Sequence, residues 1–299
     1  MTILVVGGTG YLGSAIVDHF SNVMDVIGCS RLGGATPGGV EIDVVTEKDC
    51  RDFCRRIDVD TVVLALGDAN LDRCESDFSY SYLRNVVQYK KWFDSIKYEL
   101  PNAKVILFSS IYVFGEPVPA GGYDEMDVPI PMSKYGIDKL ETEQILNEMS
   151  KEHLVIRLPW LVGNVAHTRD PIMKIIDKLM RGEELMLDRG VRYPTSTSWV
   201  ADATLELIQQ GASGVVHISG HEGITRFELV HAIASAISPS LAKRVSDTGV
   251  YPALGQFPVL ARRPTGAKLA HNKNLGLTLP KSPGLAQLVE IYMIGREEL

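Results

Sequence analysis

Tyr135-Gly136-Ile137-Asp138-Lys139 opens a long amphipathic stretch. On a helix, residues four apart share one face. An ammonium held beside a phenol stabilises the phenolate and draws the tyrosine pKa toward the working range. Of the eleven tyrosines, only Tyr135 has a lysine four places on. Ser110 lies just past the β-rich run Lys104–Phe108, at the sheet edge where open α/β sheets bind ligands. A serine hydroxyl at that edge can orient a carbonyl oxygen for protonation by Tyr135. The chemistry these three residues suit is proton transfer to a ketone.

A second constellation sits at the N-terminus, where Ile3–Val6 runs into Gly7-Gly8-Thr9-Gly10-Tyr11-Leu12-Gly13. Gly7 permits a tight turn, Gly10 lets backbone approach a pyrophosphate, and Gly13 lets helix and strand pack closely. Phosphates then rest on the positive end of the helix that starts at Tyr11. The second strand ends Val26-Ile27-Gly28-Cys29-Ser30-Arg31, without the acidic residue that would hold a ribose diol. Ser30 and Arg31 can instead bind a 2′-phosphate, which favours NADPH over NADH; the competing reading leaves Arg31 facing water.

Other candidates are less definite. Arg262-Arg263 and Lys268 form the most concentrated late basic segment, able to clamp a diphosphate or simply to face solvent. His217 and His221 are separated by a strand end and a Ser-Gly turn, an unpromising metal arrangement. Cys29, Cys50, Cys54 and Cys74 match no zinc or redox spacing and read as buried, reduced thiols.

The elements that must carry these residues alternate. Strand-like runs are Ile3–Val6, Val23–Ile27, Val40–Ile42, Thr61–Ala65 and Lys104–Phe108, and helical patterns cover Tyr11–Phe20, Glu47–Ile57, Ser81–Tyr98 and Lys134–Ser150. Continuously apolar strands alternating with helices predict a parallel sheet covered on both faces. Thr46 and Asp49 form a capping pair for the second helix. After the strand Leu154–Leu158 the rhythm loosens. Helices are expected at Asp170–Arg181, Trp199–Gln210, Arg226–Ile237 and Leu285–Ile294, a strand at Val215–Ile218, and an irregular tail from Ser238 to Pro283. The fold class is α/β, a Rossmann-type doubly wound parallel sheet with a smaller, interleaved C-terminal substrate lobe. Residues 1–158, with 194–218 returning to them, make the nucleotide-binding domain; 159–193 and 219–299 make the lobe.

Composition sets the outer limits. The chain is 45% hydrophobic and 22% charged, a globular balance. Net charge is −7, with no Lys/Arg block of the kind that drives nucleic-acid binding. The start Met1-Thr2-Ile3 lacks the basic flank of a signal peptide, and the run 61–66 is far too short to span a bilayer. No nucleic acid, no membrane and a cytoplasmic location are expected.

Together these residues resemble the extended short-chain dehydrogenase/reductases, and most of all the dTDP-4-dehydrorhamnose reductases. The resemblance runs through Leu71-Asp72-Arg73-Cys74-Glu75, Asn85-Val86, Ser109-Ser110-Ile111-Tyr112-Val113-Phe114-Gly115, Tyr123-Asp124-Glu125, Pro129, Pro131, the Tyr135–Lys139 segment, Arg157-Leu158-Pro159-Trp160, Pro194-Thr195 and Arg263-Pro264, in that order. It implies NADPH-dependent reduction of the 4-keto group of a nucleotide-activated 6-deoxy sugar; a homodimer is compatible with this reading. Ser110 would polarise the ketone, Tyr135 would protonate the alkoxide, and Lys139 would hold the nicotinamide ribose. Asp43 matches an adenine contact, with Val44 beside it. Ala65, Leu66 and Gly67 match the turn beside the cofactor, and Pro159 also falls at the cofactor. Leu71, Ile111, Tyr112 and Trp160 match the sugar pocket, although Trp160 also reads as ordinary core. The resemblance places the Arg263 loop near the cleft. Where the family has Thr-Asp this chain has Ser110-Ile111, which removes a polar group, and Asp68-Ala69-Asn70 is more polar than the family's pattern.

Two rival functions remain open. A nucleotide-sugar epimerase of the same superfamily would hold NAD through an acidic ribose ligand, which Arg31 opposes. The stretch Ile218-Ser219-Gly220-His221-Glu222-Gly223-Ile224-Thr225-Arg226-Phe227-Glu228 is similar to the methionine adenosyltransferase regulatory subunit, a non-catalytic NADP-binding relative.

Overall fold

The computed structural model describes residues 1–30, 40–41, 46–149, 152–247, 261–264, 266–271 and 275–297. β1 (Thr2–Val6) leads into α1 (Tyr11–Phe20), and then come β2 (Asp25–Ser30), β3 (Val40–Glu41), α2 (Glu47–Cys54) and β4 (Thr61–Leu64). Two short helices follow, α3 (Leu71–Ser76) and α4 (Phe78–Tyr82). A π turn over Leu83–Val87 joins α4 to α5 (Gln88–Glu99). β5 (Lys104–Ser110), α6 (Lys134–Met149) and β6 (His153–Leu158) complete the first half.

The second half holds β7 (Leu161–Val162), α7 (Pro171–Met180), β8 (Leu185–Leu187), β9 (Val191–Arg192), β10 (Thr195–Ser196), α8 (Thr197–Gln209) and β11 (Gly214–His217). β12 (Ile224–Thr225), α9 (Arg226–Ile237), α10 (Pro239–Ala242), β13 (Val245–Asp247) and α11 (Leu285–Glu297) follow.

The main sheet runs β11-β6-β5-β4-β1-β2-β3, parallel throughout. This is the Rossmann-type order with one strand added at the β6 edge. Alternate residues of each strand feed opposite cores. Ile3, Val5, Ile106 and Phe108 pack against α1 and α8, whereas Leu4, Val6, Val105 and Leu107 face Cys50, Cys54, Tyr89, Trp92 and Phe93 of α2 and α5. A third core joins α7, α9, α10 and α11 through Ile172, Ile176, Leu229, Ile233, Leu241, Leu288 and Tyr292. The two-residue and three-residue strands pair off as β7–β10, β9–β12 and β8–β13 outside the main sheet.

Three local readings shift. β2 begins at Asp25 rather than Val23, because the amides of Val23 and Met24 close the last turn of α1 on the Phe20 carbonyl. It extends through Gly28 and Cys29, since pairing with Val5 and Val6 outweighs glycine's poor strand propensity. The single helix expected over 81–98 is three pieces preceded by α3, each short helix started by an Asx cap: Asn70 accepts from Arg73 N and Asp77 from Tyr80 N. The tail from 238 also contains α10 and β13. Helix starts follow their caps closely. Thr46–Asp49 and Thr225–Glu228 are full capping boxes, and Asp170 caps α7 with Pro171 at its first turn. All four cysteines are free and buried, and burial pushes the Cys50 and Cys54 thiols up to about 12.

Candidate active site

A cleft of about 930 Å³ opens at the carboxyl ends of β1, β2, β4, β5 and β6. One wall is the glycine turn, with Gly7, Gly10, Tyr11 and Leu12 at the surface and Ser30 beyond them. Gly7 has φ +88°, and a Cβ there would stand 2.5 Å from the Ala65 carbonyl oxygen. Gly13 lies behind this wall, where a Cβ would come 2.1 Å from the Gly7 carbonyl oxygen, so α1 can seat against the turn only with glycine. The first turn of α1 carries no acidic residue and no side-chain cap, which leaves its N–H groups and dipole directed at the cleft. Ala65, Leu66, Gly67 and Pro159 line the same space. Arg31, Asp43 and Val44 lie outside the described residues.

The opposite wall carries Ser110, Tyr112, Tyr135 and Lys139. Ser110 ends β5, and its hydroxyl accepts from the Tyr112 amide at 3.3 Å to start a 3-10 turn. Tyr135 and Lys139 open α6, which is anchored from outside when Glu75 accepts the Lys134 amide at 2.9 Å. Burial pushes the Tyr135 phenol well above its ordinary range; Cys74 and Tyr112 add to this, and the hydrogen bond with Ser110 opposes it. Tyr135 therefore holds its proton at neutral pH. Lys139 is 3% exposed, and burial lowers it to about 8, with the nearby Glu143 acting the other way. Its ammonium donates to the Phe108 carbonyl at 2.6 Å and the Tyr89 hydroxyl at 3.2 Å.

Leu71 packs with Cys74, Ala261, Tyr112 and Tyr135, giving the proton donor an apolar flank. Trp160 also lines the cleft while packing on the third core, and the Arg192 guanidinium lies 5.8 Å from its ring. Ile111 does not join them. Its side chain is 5% exposed and packs with Val113, Phe114, Tyr123 and Leu269 beneath the cleft. Arg263 is not a cleft-lining residue; it donates to Asp72 at 2.9 Å, tying its loop to α3 beside Leu71. His217 is a buried strut, its Nδ1–H donating to both the Tyr123 and Ala270 carbonyls at 3.1 and 3.0 Å.

Several cleft features have no local sequence signal. Asp170 is fully buried and accepts from Tyr11 and Tyr292 hydroxyls and the amides of Gly163, Ile172 and Met173. It thereby ties the glycine turn to α7 and α11. His167 meets the Thr9 carbonyl at 3.2 Å, and Arg169 reaches to 3.9 Å of the place a Gly10 Cβ would occupy. Asp68 faces the cleft, held by the Tyr80 hydroxyl at 2.6 Å and the Asn70 amide at 2.9 Å. Asp170-Pro171 was legible as a helix start, but the two tyrosine hydroxyls that Asp170 accepts from lie 122 and 159 residues away.

Residues 1–288 match the family model described as the RmlD substrate binding domain. Methionine adenosyltransferase 2 subunit beta of Danio rerio is 27% identical over 292 residues, spanning 94% of this chain and 87% of that protein. The dTDP-4-dehydrorhamnose reductase of Bacillus anthracis, solved in complex with NADP, superposes with a TM-score of 0.82 at 20% identity over 98% of both chains. The Bordetella bronchiseptica enzyme WbmH, solved with NAD+, superposes with a TM-score of 0.84 at 17% identity over 99% of this chain and 98% of that one. At these identities the structural likenesses establish a shared fold.

Proposed function

We propose that this chain, which belongs to the RmlD substrate-binding-domain family, is an oxidoreductase that uses NADPH to reduce the 4-keto group of a nucleotide-activated 6-deoxy sugar. The observation that carries this reading is the placement of Ser110, Tyr135 and Lys139 across one cleft from the glycine turn. The site suits a dinucleotide. Gly7 and Gly13 keep the turn flat where side chains would collide with backbone, and α1 presents an uncapped, acid-free N-terminus. Gly10, Tyr11 and Leu12 would hold the diphosphate, Ser30 and Arg31 the 2′-phosphate, Asp43 and Val44 the adenine end, and Ala65, Leu66, Gly67, Pro159 and Lys139 the remainder. When bound, the dinucleotide supplies the hydride.

The chain's residues do the rest. The Ser110 hydroxyl donates to the ketone oxygen and fixes it toward Tyr135. Tyr135, protonated at neutral pH because it is buried, delivers the phenolic proton to the developing alkoxide. Charged Lys139 stabilises the resulting phenolate, a contribution that grows in the dry cleft. Leu71, Tyr112 and Trp160 exclude water around the sugar. Residues 1–158 with 194–218 form the nucleotide-binding domain, and 159–193 with 219–299 the substrate lobe. The pairing of β11 with β6 and the third core support this division.

Exposed Phe78, Leu83 and Ile137, on neighbouring elements, support a homodimer. The four buried thiols fit a reducing cytoplasm, and among the described residues no helix is long and apolar enough to cross a membrane. A second reading, a non-catalytic NADP-binding subunit, is favoured by the 27% identity to methionine adenosyltransferase 2 subunit beta. A panel of nucleotide-linked 4-keto sugars, monitored by NADPH absorbance at 340 nm, separates the two. The reductase reading requires sustained oxidation with at least one member, and tight NADPH binding with none turned over supports the subunit.

A further inference from the structure

Tyr89 sits on α5, remote in sequence from the Ser110, Tyr135 and Lys139 set, yet its hydroxyl lies between the Lys139 ammonium and the Leu66 carbonyl. The side chain is fully buried. Its hydroxyl donates to the Leu66 carbonyl at 2.5 Å and accepts from the Lys139 ammonium at 3.2 Å. The direction of both bonds is fixed, because an ammonium has no acceptor and a carbonyl has no donor. The ammonium also stands 4.7 Å from the centre of the Tyr89 ring. One phenol thus joins the helix that carries Lys139 to the 65–67 turn on the cofactor wall.

We propose that Tyr89 is a positioning residue that locks Lys139 and the Leu66 turn into a single unit, acting on the reaction through Lys139 rather than on substrate. Three protons on the ammonium have to be placed. Phe108 takes one and Tyr89 another, which leaves the third directed by the fixed pair. Burial works against the charge on Lys139; a hydroxyl acceptor and an aromatic face are what this pocket offers to keep it. The other titratable groups around Lys139 are Tyr135 and Glu143, both on α6. Glu143 is engaged by Arg157 of β6 at 2.7 Å and by the Ser109 hydroxyl of β5. Tyr89 is the group reaching the ammonium from α5.

The meaning of Lys139 rests on the reductase reading, but the test needs neither substrate nor cofactor. Lysine labelled at ¹³Cε and tyrosine labelled at ¹³Cζ are followed by NMR across pH in the full chain, with Lys139→Met assigning the lysine signal. In the unaltered chain, one tyrosine signal should inflect at the Lys139 midpoint. Tyr89→Phe keeps the ring and removes the acceptor, so the Lys139 midpoint should fall by about one pH unit, the size of one charge-assisted hydrogen bond. Tyr89→Gln, which retains an acceptor and a donor, should restore half or more of that shift. A Lys139 midpoint unchanged in Tyr89→Phe, or no tyrosine inflecting with Lys139 in the unaltered chain, overturns the proposal. If Tyr89→Phe does not fold, the titration of Tyr135→Phe decides: a tyrosine signal that still inflects at the Lys139 midpoint supports the proposal, and none overturns it. Coupled titration in a chain that reduces no keto sugar would count against the reductase reading alone.

Discussion

Replacing Lys139 with methionine should make the folded chain more stable at neutral pH while removing turnover. Methionine keeps the unbranched stem in its buried slot and discards only the ammonium. Burial moves that ammonium from its ordinary 10.5 to about 8. At about 1.4 kcal/mol per pH unit, this shift corresponds to roughly 3 kcal/mol of unfavourable folding free energy for the charged form. The variant also loses the bonds to Phe108 and Tyr89, at about 1 kcal/mol each. The net gain is about 1 kcal/mol, or roughly 1–2 °C in Tm for a chain of this length. The folded-state value lies below the unfolded one, so between about 8 and 10.5 the unfolded chain binds more protons. Native stability therefore rises with pH across that window, and the variant lacks this rise. The advantage of Lys139→Met should be full below pH 8 and shrink or reverse by pH 10. Urea unfolding at pH 7.0 and 9.5 measures it. An equal loss of stability at both pH values would refute the reasoning, because it would mean that Lys139 is held as a favourable structural cation.

Tyr135→Phe should leave NADPH affinity within a few-fold and lower kcat by about 10²-fold or more, the scale of a lost general acid; full activity would remove Tyr135 from the mechanism. Arg31→Ala should erase most of a preference for NADPH over NADH worth about 1–3 kcal/mol, read as two dissociation constants by fluorescence; equal affinities before substitution would discard the 2′-phosphate assignment. Arg263→Ala breaks a pair with Asp72 in which both partners are about a third or more exposed, so stability should change by less than about 1 kcal/mol. If its loop serves the nucleotide diphosphate, the Michaelis constant should rise more than kcat falls. Unaltered kinetics would restrict Arg263 to holding the loop on α3.

The parallel sheet and the starts of α1, α2, α6, α9 and α11 were legible because each rests on a short-range rule. Glycine spacing after β1, continuous apolar strands and the Thr46–Asp49 capping pair all act within a few residues. Where the reading slipped, longer-range forces decided. Pairing with β1 carried β2 through Gly28 and Cys29 against their local preference. The Asx cap at Asp77 starts the expected helix earlier than read, and a π turn over Leu83–Val87 interrupts it.

The cleft divides in the same way. Ser110, Tyr135 and Lys139 were read as one group because a helix turn and a strand end are local geometry, and all three line the cleft. Ile111 was placed in the sugar pocket by resemblance, but the 3-10 turn rotates it into the cluster around Phe114. Tyr89, Asp68 and the Tyr11–Asp170–Tyr292 set could not be read, since nothing in their spacing encodes partners 12 to 159 residues away.

The central claim is that this cleft delivers a hydride to a ketone and that Tyr135 supplies the proton. It is tested most directly by single-turnover mass spectrometry with NADPH deuterated at C4 and a nucleotide-linked 4-keto-6-deoxy sugar. The account predicts a product one mass unit heavier than its protium control, with the label at the former carbonyl carbon, and at least about 10²-fold slower formation in Tyr135→Phe. Saturating NADPH binding with no deuterium in any sugar product would contradict it.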